Sequence, residues 1–182
     1  MSQQNIRLAI YQPDIPQNLG AMIRLCACFG VEIDLIEPCG FPFSIKSLRR
    51  TAMDYTNLVK IKNHNDFDSF KLNYEKQRRI ILLTVKSQTS IYDFKFKSDD
   101  ILMVGSESLG VSADVRNSLS LDIKIPILTS ARCLNVTTAA SIAISEAIRQ
   151  SIKKHLLFPG WAKPRHIPLR GSPCRHSLGR GF

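Results

Sequence analysis

The run that most limits the fold lies at residues 101–110, Ile-Leu-Met-Val-Gly-Ser-Glu-Ser-Leu-Gly. Four apolar residues in succession, opened by Asp99-Asp100 and closed by Gly105, predict a short strand buried on both faces of a parallel sheet. In open α/β sheets ligands sit beyond the carboxyl ends of the strands, so chemistry is expected just after this one. Two glycines bracket one carboxylate there, Gly105-x-Glu107-x-x-Gly110. Backbone bared by glycine can approach a ligand closely, and a carboxylate beside it can accept hydrogen bonds or hold a neighbouring cation. Taken alone, the same segment also describes an ordinary glycine-flanked turn.

The rest of the chain alternates in the same manner. Residues 6–11 (Ile-Arg-Leu-Ala-Ile-Tyr) predict a strand ended by Gln12-Pro13, and a Pro/Asn/Gly loop then leads into a helix that stops at Gly30. Asn18 and Arg24 flank Gly20 near the start of that helix. A helix start favours anions and an arginine there adds a phosphate contact; an N-cap asparagine with a surface arginine is the alternative. Further strands are expected at 32–36, 58–61, 79–85 and 122–127, the last ended by Pro126. Short helices are expected at 44–50, 66–72 and 112–119, and a long one at 139–154. The first of these sets Lys46, Arg49 and Arg50 against Ile45 and Leu48, a face for nucleic acid or simply for solvent. In the long helix Ala139, Ala143 and Ala147 share a face beside Ile142 and Ile148, which lets another helix or subunit come close. Strands alternating with helices, without an internal repeat, give an α/β protein with a mostly parallel sheet.

The chain's 182 residues fit one domain, and a formal charge of +10 with a pI near 9.6 suits a polyanionic partner, a generic basic surface being the alternative. Lys163, Arg165, Arg170, Arg175 and Arg180 supply +5 of that charge after Phe158, with no acid among them. Residues 159–182, rich in Pro, Gly and Arg and without hydrophobic periodicity, therefore read as a disordered tail with at most non-specific attraction for RNA, after a domain at 1–158. The five cysteines are odd in number and form no C-x-x-C pair, which supports neither a disulfide framework nor a zinc site; no metal is expected. Without a signal peptide or a bilayer-length apolar run, a cytoplasmic protein with no membrane contact is expected. A nucleotide hydrolase would need a G-x-x-x-x-G-K-[ST] loop, and a dinucleotide oxidoreductase a G-x-G-x-x-G after the first strand; neither occurs.

Three polar loops follow three strands in order: Asn18-x-Gly20-x-x-x-Arg24, Gly105-x-Glu107-x-x-Gly110, and Ile125-Pro126-Ile127 with Arg132-Cys133-Leu134-Asn135. As a set they resemble the motifs of the SPOUT (SpoU–TrmD) methyltransferases, over about residues 6–150. The likeness is greatest to the small, single-domain TrmL type, the tRNA (cytidine(34)-2'-O)-methyltransferases. The segments Asp14-Ile-Pro-Gln-Asn-Leu-Gly, Ile23-Arg-Leu-Cys-Ala, Ile36-Glu-Pro-Cys-Gly-Phe, Leu48-Arg-Arg-Thr-Ala-Met-Asp-Tyr and Ser145-Glu-Ala-Ile-Arg-Gln are similar to that subgroup too.

The resemblance implies a parallel sheet with helices on both faces whose C-terminal part is threaded into a deep trefoil knot, a rare exception to ordinary topology. It implies an S-adenosylmethionine pocket in the knot and a homodimer in which each subunit contributes to the other's site. Leu83, Gly105, Ile125, Cys133, Leu134 and Asn135 would line the cofactor site, with Arg24, Asn18 and Glu107 as catalytic candidates. The implied reaction is 2'-O-methylation at the tRNA wobble position 34, on cytidine or a modified uridine, in an anticodon loop. Arg24 would position a phosphate or the 2'-oxygen, since a guanidinium is a very poor base. Glu107 would fix the pocket and pair with a cation. Another tRNA position, ribosomal RNA, or RNA binding without catalysis are the alternatives. The chain departs from the subgroup at Cys133, for a common Ser, at Thr137-Thr138, for Ser-Asn, and at Ser106, for a Pro, which implies a looser turn. A thiol donates hydrogen bonds weakly, so lower cofactor affinity is implied.

Overall fold

A computed structural model describes residues 5–42, 55 and 58–151. Six parallel strands form one sheet: β1 (Arg7–Tyr11), β2 (Glu32–Ile36), β3 (Ile61–His64), β4 (Ile80–Leu83), β5 (Ile101–Val104) and β6 (Leu121–Ile123), in the order β3-β2-β1-β5-β4-β6. Helices α1 (Pro16–Phe29), α2 (Phe67–Tyr74), α3 (Ala113–Asn117) and α4 (Val136–Ser151) complete the described chain. The expected 44–50 helix and the 159–182 segment lie outside the described residues.

The central strands β1 and β5 are buried at every position, as strands covered on both faces must be. Residues alternate between the faces, so Ala9, Tyr11, Ile36, Ile80, Leu82, Ile101 and Met103 share one side. There they pack with Phe67 and Phe70 of α2 and Val115 of α3. The opposite side, with Leu8, Ile10, Ile33, Leu35, Ile81, Leu102 and Val104, is covered by α1 and α4.

Several boundaries differ from the sequence reading. β3 begins at Ile61, not at residue 58, because its pairing with β2 places Ile36 against His64 and ends in the polar half of the segment. β4 stops at Leu83, and its last ladder bond is the one that the Thr84 N–H donates to Ile123 O of β6 at 2.9 Å. β6 is three residues long; beyond it Lys124 bridges to Ser90, and the chain leaves the sheet well before Pro126. α4 starts at Val136, because Asn135 Oδ1 accepts from the N–H groups of Thr137 and Thr138 and caps the helix. The small-residue face of α4 is Ala140, Ala143 and Ala147, all buried against α1 and the sheet of the same chain; Ala139 is only half-buried.

Strand order fixes where a ligand can sit. β1 runs through α1 to β2 on one side, while β5 runs through α3 to β6 on the other. The loops leaving the neighbours β1 and β5 therefore diverge and open a crevice at the carboxyl ends of the strands.

Candidate active site

That crevice continues into a cavity of about 540 Å3 whose walls come from the loops after β1, β4, β5 and β6 and from the start of α4. Its size falls in the range of small-molecule and cofactor sites. Each of the six residues expected at a cofactor, Leu83, Gly105, Ile125, Cys133, Leu134 and Asn135, lines it, and so do Asn18 and Glu107. Arg24 does not. It is exposed on α1, its guanidinium 5.2 Å from the centre of the Tyr55 ring, a cation–π contact that holds it away from the cavity wall.

The floor is the turn after β5. Ser106 and Gly110 exchange two backbone hydrogen bonds of 3.0 Å, and Ser106 Oγ also accepts from Leu109 N–H and donates to Gly110 O. The turn is thus clamped by the serine, not loosened by the loss of a proline. It closes so tightly that a Cβ on Gly105 would lie 2.5 Å from the Gly110 carbonyl carbon, and Gly110 itself has φ +70°.

Polar groups from all three loops meet at one edge. Asn135 Nδ2 donates to Asn18 Oδ1 at 3.1 Å, and Thr137 Oγ1 donates to Asn18 O at 3.3 Å. Asn18 lies inside the first turn of α1, whose N-cap is Ile15 with Pro16 behind it, so its side chain is free for this contact and does not cap the helix. Its side chain is also close enough to Glu107 to favour the ionised carboxylate. Glu107 Oε2 in turn accepts from the N–H of Asp14 at 3.0 Å, and Asp14 Oδ2 accepts from Ser108 N–H at 3.2 Å and from the Ser108 hydroxyl.

The expected cation beside Glu107 is therefore replaced by a second acid, because the crevice between β1 and β5 brings Asp14 there. Among the described residues no lysine or arginine pairs with either carboxylate. The consequence is a split in acidity. The hydrogen bond to Glu107, with those from Ser108, holds Asp14 down at about 2, while burial and then Asp14 raise Glu107 above the usual glutamate range. Asp14 is the residue that sequence reading missed. Its only signal was membership of the Asp14-Ile-Pro-Gln-Asn segment, with nothing to point at a partner 93 positions away.

The donor set suits an adenosyl sulfonium cofactor. Leu83, Val104, Ile125 and Leu134 offer apolar walls, the tight Gly105–Gly110 turn offers bare backbone, and Asn135 and Glu107 offer polar contacts. Among the described residues no group of three His, Cys, Asp or Glu is placed to hold a metal, and no helix is long and apolar enough to cross a membrane.

Comparison with known proteins agrees with this layout. A protein described as tRNA (cytidine(34)-2'-O)-methyltransferase from Beijerinckia indica subsp. indica is 47% identical over 144 residues, 79% of this chain and 90% of that one. A solved structure presented as "Structural insights into the 2-OH methylation of C/U34 on tRNA" superposes with a TM-score of 0.76 at 33% identity, covering 81% of this chain and 96% of that chain. The SpoU methyltransferase AviRb from Streptomyces viridochromogenes in complex with the cofactor AdoMet shares the fold, with a TM-score of 0.71 at 21% identity over 82% of this chain and 59% of that one. The family model for the SpoU rRNA Methylase family matches residues 5–145, and with the crevice, the turn and the three loops in place, this chain belongs to that family.

Proposed function

We propose that this protein transfers a methyl group from S-adenosylmethionine to the ribose 2'-hydroxyl of nucleotide 34 in tRNA, a cytidine or a modified uridine. The observation that carries the reading is the cavity into which Leu83, Gly105, Ile125, Cys133, Leu134 and Asn135 converge from three separate loops, with Asn18 and Glu107 at its edge. The 47% identical relative named for that reaction supports the substrate.

When bound, the cofactor supplies an electrophilic methyl carbon. The transfer is an in-line displacement, so alignment of acceptor and donor provides much of the rate. Leu83, Ile125 and Leu134 enclose the apolar part of the site and exclude water, while the Gly105–Gly110 turn presents backbone groups. Asn135 and Asn18, locked to each other, face the crevice through which a ribose enters. Arg24, outside the cavity and backed by Tyr55, holds a phosphate or the 2'-oxygen of the target nucleotide. It serves by position and charge, since a guanidinium stays protonated at neutral pH.

The working unit in this reading is a cytoplasmic homodimer acting on an anticodon loop. Ile15, Val85, Leu109 and Leu128 are large, apolar and exposed on the loops that leave β1, β4, β5 and β6, and a second subunit covers them. The C-terminal part is threaded as a trefoil. In support, Gln150 near the end of α4 donates to Phe94 O at 2.9 Å and accepts from Phe96 N–H at 3.0 Å, tying that helix to the long loop before β5. Residues 1–158 form the catalytic domain, and the basic residues after Phe158 add charge attraction to RNA.

The test is transfer of labelled methyl from S-adenosylmethionine to total tRNA from cells lacking the activity, followed by nuclease mapping. Label at the 2'-oxygen of position 34 is expected. Label at another ribose, or none although the cofactor binds, overturns the substrate assignment.

A further inference from the structure

Two acidic side chains in direct contact attract only when a proton lies between them. We propose that Asp14 is a positioning residue of this site, sharing one proton with Glu107 and through it holding Asn18 and Asn135 in place; the proposal rests on the methyltransferase reading above.

Asp14 is held on three sides. Its N–H donates to Glu107 Oε2, both donors of Ser108 reach its Oδ2, and the backbone of Gly40 packs so closely that a Cβ there would lie 2.7 Å from Asp14 Cβ. Gly40 is fixed in turn by donating its N–H to Pro13 O at 2.9 Å. What remains is Asp14 Oδ1 and Glu107 Oε1, the two buried side-chain polar atoms without a donor among the described residues. One proton between the carboxyls satisfies both oxygens at once. The directions of their acidity agree, with Asp14 low and Glu107 high. From Glu107 the constraint passes to the neighbouring Asn18 side chain, and from Asn18 by hydrogen bond to Asn135 at the start of α4. Asp14 is thereby a hub for the three loops without lining the cavity itself.

The groups facing this pair are Asn18 from α1, Ser108 from the turn after β5 and the Gly40 backbone from the loop after β2. Lys86 and Arg116 line the same cavity, Arg116 being paired with Asp122. With the proton present, the pair carries a single charge and the loops are drawn together. Without it, two negative charges meet across the crevice and push the loops after β1 and β5 apart.

The experiment is infrared difference spectroscopy on the full-length protein during a pH titration, with kinetics on Asp14→Asn, Asp14→Ala and Glu107→Gln. The wild-type protein is expected to keep a protonated-carboxyl band at pH values above the ordinary glutamate range. That band disappears in Glu107→Gln, and also in Asp14→Asn, whose amide supplies the bridging hydrogen and leaves Glu107 ionised. In catalysis, Asp14→Ala lowers kcat by about tenfold or more and raises KM for S-adenosylmethionine through the displaced Glu107 and Asn135, and Asp14→Asn recovers much of both losses. The alkaline limb of the wild-type pH profile is absent in Asp14→Asn, because an amide hydrogen does not titrate. A wild-type protein without the band, a band that survives both substitutions, or an unchanged kcat in Asp14→Ala overturns the proposal. The infrared readout needs no RNA, so it stands or falls separately from the substrate assignment.

Discussion

Gly105 and Gly110 meet where no side chain fits, and the ring they close carries Glu107 on its outer edge. In Gly105→Ala the new methyl would lie 2.5 Å from backbone, so the Ser106–Gly110 bridge must open and the cavity floor shift. Strain of this kind costs about 1–3 kcal/mol, and we expect a lower Tm together with at least about tenfold weaker S-adenosylhomocysteine binding by calorimetry. Arg24 is the opposite case, outside the cavity and stacked on Tyr55. Arg24→Ala should abolish methyl transfer to tRNA while leaving cofactor affinity within about twofold of wild type, the pattern of lost transition-state positioning. A large loss of cofactor affinity would place Arg24 in the wrong role. Cys133 is exposed on the cavity wall. A hydroxyl there donates a better hydrogen bond than a thiol, so Cys133→Ser is expected to tighten cofactor binding about two- to fivefold, on the order of the 0.5–1 kcal/mol by which such bonds differ; weaker binding would mean that the thiol packs and does not donate.

One buried acid ties β1, β2, β3 and α2 together. Asp34 of β2 is fully buried and accepts from Arg7 Nε of β1 at 2.6 Å, from the Tyr74 hydroxyl of α2 at 2.9 Å, and pairs with His64 Nε2 of β3 at 2.8 Å. Burial and the Asp34 charge push the Tyr74 phenol up to about 12, which keeps it a donor. Asp34→Ala strands the buried Arg7 guanidinium with Glu32 as its remaining acid, and we expect a loss of about 3–5 kcal/mol in urea unfolding. A loss below 1 kcal/mol would show that Glu32 alone satisfies Arg7. None of this joining was visible in sequence, and its absence explains where element boundaries went astray. The buried run 101–104 announces itself by unbroken apolarity, and β1 and β2 are mostly apolar despite Arg7, Glu32 and Asp34, so β1, β2 and β5 fall within a residue of where that pattern places them. β3 is an edge strand whose interior residues are Lys62 and Asn63, so its position follows from register with β2 and from His64 reaching Asp34, neither of which is local. α4 begins at Val136 because Asn135 caps it, a role obscured by the polar stretch around it. The candidate site was legible only as spacing between loops: eight of its nine expected residues line one cavity, whereas Asp14 and the Arg24–Tyr55 contact needed the folded crevice to appear.

Across the molecule, most shifted carboxylates among the described residues favour the folded state at neutral pH and one opposes it. Hydrogen bonds to Arg7 and Lys60 overcome burial to lower Glu32, Arg149 lowers Glu146, and Asp14 is lowered from 3.8 to about 2, chiefly by its bond to Glu107. For such groups the unfolded chain binds more protons, so their contribution is complete above the ordinary carboxylate range and is lost as pH falls through the folded values. Glu107 runs the other way. Its folded value lies above the ordinary 4.5, first through burial and then through Asp14, so the folded state holds its proton longer than the unfolded chain does. Stability from Glu107 is complete below pH 4.5 and is lost as pH rises through the folded value. The molecule thus carries, at the mouth of its cavity, an acid whose ionisation works against the fold. Replacing it with the neutral isostere removes only that opposing slope, since a glutamine still donates to Asp14. Melting temperatures of wild type and Glu107→Gln measured from pH 4 to 8 should therefore diverge, the variant gaining on the wild type as pH rises above about 4.5 and the gap levelling once the wild-type Glu107 is fully ionised. A gap that stays constant across that range would mean that Glu107 titrates as an ordinary glutamate and holds no proton with Asp14.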